Sequence, residues 1–458
     1  LTTPAMPLTY DAAVQHLLWL GHEGRALKWD LNNIGAVLDR LGRPEQAWPS
    51  VLIAGTNGKG SVAAMLESIL RAAGYRTGLY TSPHLVRINE RIRINGTDSG
   101  DEVFAAAFDA VEAAIEALLA SGLLPAHPSY FETLTAMAFW QFRRAGAELA
   151  VLEVGMGGRL DATNAVTPKV SVITQVDFDH ERFLGHSIEQ IAAEKAGILK
   201  PGVPTVSAVA HPLAQRVIRD RAAAVGAPLV EIDAYRVEKL QPAADGRYHF
   251  ELVGDAGPAA GGAGFRLRLA PALRGRVQLR NAVTAAAAAR LLSAQGMRLT
   301  PEAIARGIAE VTWPGRLERV ASEPDIFLDG AHNPAAVREL VRFWDEHCQG
   351  RNIHLIFGAM RDKAVEEIAD LLFPRAASVT LTQAHSPRAA SATTLARLAQ
   401  TLSPNVAAEP DPERALARAW ALARPADLVF VTGSLYLVGE IKQALASPQR
   451  LARGETLP

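Results

Sequence analysis

VLIAGTNGKGSVAAMLESILRAAG, residues 51–74, changes its periodicity halfway along. Val51 to Ala54 is an unbroken apolar run of the kind that makes a buried strand. Val62, Met65, Leu66, Ile69 and Leu70 then recur at helical spacing, and Gly74 provides a stop. Between the two lies Gly55 to Ser61, a glycine-rich turn opening a helix. Backbone N–H groups and the helix dipole there face any anion placed at the turn. Lys59 is positioned to reach terminal phosphates, and the Ser61 hydroxyl stands where a phosphate-bound Mg²⁺ takes an oxygen ligand.

The common phosphate-loop pattern, G-x-x-x-x-G-K-[ST], is met only in part. Ile53 stands where its first glycine falls, and Gly60 where it has Ser or Thr, leaving the shorter G-T-N-G-K-G-S. The alternative is an ordinary strand-to-helix turn with a solvated lysine. Four small or turn-forming residues, a lysine and a hydroxyl, all between strand and helix, favour nucleotide binding.

At 458 residues the chain exceeds a single core, so two or three domains are expected. A hydrophobic share of 49% and a charged share of 21% describe an ordinary globular chain, and the net charge of −1 gives no electrostatic case for nucleic acid or an anionic membrane. The single cysteine, Cys348, permits no intrachain disulfide and no cysteine-based metal site. No uncharged apolar run is long enough to span a membrane, and the first residues lack a signal-peptide pattern, so the cytoplasm is the expected compartment.

Taken in order, residues 9–40 predict two helical pieces capped at Thr9 and broken at 20–24. A second strand runs into Ser82-Pro83-His84, and 90–98 predicts a small hairpin or edge strand around Asn95-Gly96. Helices follow at 101–120 and 129–146. The stretch 148–164 is a buried strand ending in glycines, with Glu153 just before them, and 169–180 is another, ending in Asp177, Asp179 and His180. Their joint placement beside the phosphate loop favours a shared Mg²⁺–phosphate site over a merely solvated cluster. Alternating strands and helices predict a parallel sheet with ligands at the strands' C-terminal ends. GMGGR at 155–159 is not G-x-G-x-x-G, which argues against NAD. Ser187 and Gln190 form a capping-box pattern. Lys195 sits among Ala192, Ala193, Ala196 and Ile198, where a lysine usually snorkels and otherwise needs a partner or a changed charge.

Residues 233–270 are hairpin material with a turn at Asp245-Gly246 and a Gly/Ala loop, and carry no chemistry. A helix follows from Arg280 to about Ser293. The alternation restarts after Trp313-Pro314 with four apolar strands, predicting a second, smaller α/β domain and an interdomain cleft. The expected division is an N-terminal domain over 1–312, a linker over 313–323 and a C-terminal domain over 324–458. Asp329, His332 and Asn333 fall at one strand end of this domain, and His385, Ser386 and Arg388 at another. Arg316 lies in the interdomain segment, where it either reaches phosphates or stays at the surface.

GTNGKGS, TSPHL, LEVGMGGRLDATN, DFDHE with EKAGI, PGRLE, LDGAHNP, FGAMRDK and GSLYLVGE together resemble the folylpolyglutamate synthase/dihydrofolate synthase family, within the Mur ligase superfamily. The resemblance implies an N-terminal P-loop NTPase-like parallel-sheet domain with a smaller C-terminal Rossmann-like α/β domain. It implies an ATP-dependent amide ligase that phosphorylates the carboxylate of dihydropteroate or of a reduced folate and joins it to L-glutamate. On matched motifs, Thr56, Asn57, Gly58, Lys59, Gly60, Ser61, Asn281, Arg316 and Asp329 are expected to hold ATP, with His332 near its phosphates. Ser61, Ser82, Glu153 and His180 are expected to contact Mg²⁺, and Lys195, as a carbamate, a second Mg²⁺. Lys59, Lys195 and His332 are thus the expected catalytic set. Ser129, Tyr130, Phe131, Glu132, Leu160, Asp161 and Ala162 are expected to line the pterin pocket, and His385, Ser386 and Arg388 to serve glutamate. Glu181 departs from the family pattern and adds negative charge near the metals. A monovalent cation stays open, and a monomer is expected. The rival readings are a monofunctional folylpolyglutamate synthase and a non-catalytic nucleotide-binding regulator.

Overall fold

The computed structural model describes residues 8–21, 30–255, 264–399, 401–403 and 405–446. Parts of two expected features, the break at 22–24 and the Gly/Ala loop at 256–263, lie outside the described residues.

The first sheet is built from β1 (Ser50–Ala54), β2 (Thr77–Tyr80), β3 (Ile92–Ile94), β4 (Thr97–Asp98), β5 (Leu149–Glu153), β6 (Val170–Ile173), β7 (Thr205–Ser207) and β8 (Leu229–Glu231). Its spatial order is β4-β3-β2-β5-β1-β6-β7-β8. All pairings are parallel except those of the small edge hairpin, β2 with β3 and β3 with β4. That hairpin turns at Asn95 and Gly96, both at positive φ, the conformation a two-residue turn needs to match strand twist. Because β1, β2, β5 and β6 run in one direction, the loops after all four open at one edge.

Alternation in β1 divides the core in two. Val51 and Ile53 face the helices Lys59–Ala72, Val277–Ala294 and Pro301–Glu310, whereas Leu52 and Ala54 face Asp101–Ala120 and Tyr130–Arg144. The helix Lys59–Ala72 is buried without interruption from Gly60 to Leu70, so it is fixed on every side. Each fully buried Leu or Ile in it contributes about 1.5–3 kcal/mol. Packing against Pro301–Glu310 is close: a Cβ on Gly307 would lie 2.3 Å from Ile69 Cα.

β9 (Arg236–Pro242), β10 (Tyr248–Gly254) and β11 (Phe265–Leu269) form the expected antiparallel excursion. The second α/β unit has β12 (Glu318–Ala321), β13 (Asp325–Leu328), β14 (Ile353–Phe357), β15 (Ser378–Leu381), β16 (Val406–Ala408) and β17 (Leu428–Thr432), ordered β12-β13-β17-β14-β15-β16. Only β12 is antiparallel in this sheet. The expected four strands are thus six. The two additions are edges whose residues are half-buried or exposed, so they lack the apolar run that marks β13, β14, β15 and β17. β12 also falls inside the stretch read as linker, which is therefore partly sheet.

Candidate active site

A cleft of about 1950 Å³ opens between the two units at the C-terminal edge of the first sheet. The loop after β1 forms its floor. Gly58, at φ +89°, is the N-cap of the helix Lys59–Ala72, with no side-chain cap and no acid in the first turn. A Cβ on Gly58 would meet Asn281 Oδ1 at 2.6 Å. The loop is pinned from behind: Thr56 Oγ1 donates to Asp177 O at 2.9 Å, and Thr174 Oγ1 donates to Asn57 O at 2.8 Å. A rigid anion cradle with uncommitted donors results, and it fits a phosphate chain.

Two lysines enter this cradle. Lys59 Nζ donates to Gly55 O at 3.1 Å and Thr56 O at 3.2 Å, and Lys195 Nζ donates to the same Gly55 O at 3.0 Å. Lys195 is only 4% exposed, so it does not snorkel. Burial, reinforced by Lys59 and opposed by Asp179, pulls its ammonium down to about 7. Glu153, at the end of β5, accepts from Ser82 N at 3.2 Å, and burial raises its carboxyl above the ordinary range. Desolvation by the surrounding cleft, with Lys363, Lys59 and His332, holds His180 down at about 4 against the pull of Asp179, although 37% of the side chain stays open to solvent; its ring is neutral at pH 7. A buried carboxylate, a neutral imidazole and the buried Ser61 hydroxyl are a donor set that fits a divalent cation beside phosphates.

The second unit closes the cleft through a polar seam. Asn57 and Asn333 exchange amide hydrogen bonds at 3.2 and 3.0 Å, while Asn333 Oδ1 also caps the helix Pro334–His347 at Ala336 N. Asp179 accepts from Lys363 Nζ at 2.6 Å and from Asn333 Nδ2 at 3.4 Å, with His332 Nε2 at 3.7 Å. His332, His180 and Lys363 together overcome burial and hold its carboxyl far below the usual range. His332 Nδ1 donates to Gly330 O at 2.8 Å, which leaves Nε2 directed to the seam. Asp329 accepts from Leu317 N and Ala331 N, each at 2.9 Å, and the half-buried Arg316 lies beside it.

The cleft lining includes Thr56, Asn57, Gly58, Lys59, Gly60, Ser61, Ser82, Glu153, His180, Lys195, Asn281, Arg316, Asp329 and His332, all anticipated from the sequence. Ser129, Tyr130, Phe131, Glu132, Leu160, Asp161 and Ala162 line it too, but three of them have structural duties. Ser129 and Glu132 form a capping box for the helix Tyr130–Arg144, and Asp161 accepts from Met156 N, Thr163 N and Thr163 Oγ1. Phe131 leans on Tyr80 at 5.9 Å between ring centroids. Of the three residues expected for glutamate, only Arg388 lines the cleft, held by Asp362 at 3.1 Å. His385 sits at the exposed rim, bonded through N and Nδ1 to Glu440, and Ser386 Oγ accepts from Arg388 N. Neither is part of the lining. Lys363 has no role in the sequence reading and Asn333 none of its own, whereas Asp179, expected in a shared Mg²⁺–phosphate site, instead spends its carboxylate on Lys363 and Asn333 of the second unit. The FGAMRDK motif was the one available signal for Lys363.

The Mur ligase middle domain matches residues 53–289, and the Mur ligase glutamate ligase domain matches 315–435. A Bacillus subtilis dihydrofolate synthase/folylpolyglutamate synthase is 33% identical over 424 residues, 92% of this chain and 95% of that protein. Escherichia coli FolC in complex with DHPP and ADP superposes with a TM-score of 0.84 at 30% identity, covering 98% of this chain and all of that one. The Yersinia pestis bifunctional folylpolyglutamate synthase/dihydrofolate synthase with AMPPNP and a Mn ion gives 0.81 at 31% identity, over 97% of this chain and 100% of that one. The glycine-rich cradle, the strand-end acids and these matches agree: the chain belongs to the Mur ligase superfamily, in its dihydrofolate synthase/folylpolyglutamate synthase family of ATP-dependent ligases.

Proposed function

We propose that this ligase adds L-glutamate both to dihydropteroate and to the γ-carboxyl of reduced folates. The observation that carries the reading is the meeting, in one cleft, of an uncapped helix N-terminus at Gly58 with buried Lys195, Glu153 and neutral His180. A substrate carboxylate oxygen attacks the γ-phosphorus of ATP, the bond to the ADP oxygen breaks, and an acyl phosphate forms. The glutamate amine then attacks the carbonyl carbon, phosphate departs with the carboxylate oxygen, and the amine releases a proton. No protein nucleophile is needed; positioning and charge neutralisation do the work.

Residues 56–61, Asn281, Arg316 and Asp329 hold ATP, and His332 Nε2 lies close to its phosphates. Ser61, Ser82, Glu153 and His180 hold Mg²⁺, which when bound neutralises the phosphate charge. Lys195, half-deprotonated near neutrality, adds CO₂ and loses a proton to become an anionic carbamate suited to a second Mg²⁺. The pterin lies along Phe131 with Leu160 and Ala162, while Ser129, Glu132 and Asp161 shape that wall. Arg388 pairs with an incoming carboxylate, and His385 and Ser386 support it from the rim. The working division is 1–312 and 324–458 around 313–323, in a cytoplasmic monomer; among the described residues no helix is long and apolar enough to cross a membrane.

ADP release with dihydropteroate plus glutamate, set against tetrahydrofolate plus glutamate, tests this. Activity with both is expected. Silence with dihydropteroate alone leaves a monofunctional folylpolyglutamate synthase, and silence with both overturns the ligase.

A further inference from the structure

Three side chains with metal-ligand chemistry converge away from the phosphate loop. His16 comes from the helix Tyr10–Trp19, Glu112 from the helix Asp101–Ala120, and His127 from the segment preceding the Ser129 cap. One ligand atom of each lies within 4.8 Å of the other two. His127 Nε2 stands 3.1 Å from Glu112 Oε2, and His16 Nε2 stands 3.8 Å from Glu112 Oε1. Two ligands each about 2.0 Å from a tetrahedral zinc ion are about 3.3 Å apart, a spacing these two distances bracket.

The tautomer of His127 is set from outside the cluster. Its Nδ1 is 2.7 Å from Pro128 O, a carbonyl that can only accept, so Nδ1 carries a proton. A neutral His127 ring then directs the Nε2 lone pair at a carboxylate oxygen 3.1 Å away, and His16 brings a second imidazole to the same carboxylate. Positive charge is required between these atoms. A second proton on His127 satisfies one contact, whereas a single divalent cation satisfies all three groups. A backbone carbonyl on the far nitrogen is also the usual way a ligating histidine is oriented. Phe108 at 5.2 Å and Trp19 at 6.0 Å hold the His16 ring, and the three side chains keep 13–35% exposure, open enough for an ion to enter.

We propose that His16, Glu112 and His127 form a binding site for a divalent transition-metal ion, zinc being the best match to two imidazoles and one carboxylate. Water completes the coordination. Mg²⁺, which prefers oxygen ligands in octahedral array, is a poor competitor here. The site stands apart from the Mg²⁺ ligands of the phosphate loop and does not depend on the ligase reading. Its place gives it a use: Leu18, Trp19, His127 and Ser129 all line the cleft, so an ion linking His16 to His127 fastens that wall.

The test uses the full chain without an affinity tag, stripped with chelator and held in millimolar Mg²⁺. Zn²⁺ titration by calorimetry, and Co²⁺ titration followed by visible absorption, are run on the parent and on His16→Gln, His127→Gln and Glu112→Gln. The expected result is one Zn²⁺ per chain, a Co²⁺ spectrum of tetrahedral intensity, and affinity at least tenfold weaker in each variant. Far-UV circular dichroism and ATP affinity establish that the variants are folded. No stoichiometric Zn²⁺ in the parent, or Zn²⁺ affinity unchanged in any folded variant, overturns the proposal and leaves a protonated His127–Glu112 pair.

Discussion

Replacing Lys363 by methionine removes the cation that joins the second unit to Asp179. Both side chains are nearly buried, at 9% and 11% exposure, and the ammonium lies 2.6 Å from the carboxylate. At that distance and an effective dielectric constant of about 20, the attraction is about 6 kcal/mol, most of it offset by desolvation of the two ions. The variant keeps the cost and loses the return. Stranding one partner of a buried pair costs about 3–5 kcal/mol, and the lower end applies because Asn333 and His332 still face Asp179. Lys363→Met should therefore lose about 3 kcal/mol in urea unfolding followed by tryptophan fluorescence. Asp179→Asn combined with Lys363→Met should recover about 1–3 kcal/mol relative to the sum of the single changes. The acid limb gives a second readout. A carboxylate held low contributes stability above the ordinary carboxylate pKa of about 3.9, lost only as pH falls through the depressed folded value. In Lys363→Met that loss should move up toward pH 4. A destabilisation below about 0.5 kcal/mol with additive single effects would refute the reasoning.

Three further outcomes follow from the cradle and its walls. Gly58→Ala forces a side chain into left-handed backbone and onto Asn281 Oδ1, so stability should fall by about 1–3 kcal/mol and ATP affinity about tenfold by calorimetry; unchanged affinity would mean that the loop does not set the phosphates. Lys195 loses its proton at about 7 rather than at the ordinary 10.5, so bicarbonate-dependent turnover should decline as pH falls through about 7. The unfolded chain binds the extra proton between those values, so the Lys195 contribution to stability rises with pH across that window; turnover indifferent to bicarbonate, or a normal rate in Lys195→Ala, would remove the carbamate. Phe131→Ala should raise KM for the pterin substrate about threefold to tenfold, the range expected for losing one aromatic contact, with ATP KM unchanged.

The parallel sheet and its phosphate loop were legible because burial writes itself into sequence as apolar runs. β1 and the helix after it are buried nearly throughout, and β13, β14, β15 and β17 likewise. β12 and β16 lie at an edge with half-exposed residues, so their pattern resembles loop. The strand-end candidates meet in one cleft because parallel topology delivers strand ends to one edge. What sequence could not convey is which polar groups are consumed in holding the structure. Glu132 and Asp161 look like ligand groups in a motif, yet their oxygens cap a helix and tie a loop. The reverse error is Lys363, a plain basic residue in sequence that becomes a buried counter-ion only once two domains meet.

The central claim is that a carboxylate is activated by phosphorylation, and oxygen tracing tests it most directly. Dihydropteroate labelled with ¹⁸O in its carboxylate is turned over with ATP, Mg²⁺ and glutamate, and the products are read by ³¹P resonance and mass spectrometry. The account predicts ADP, and inorganic phosphate carrying one ¹⁸O for each amide formed. Label appearing in AMP with release of pyrophosphate, or amide formed with unlabelled phosphate, would contradict it.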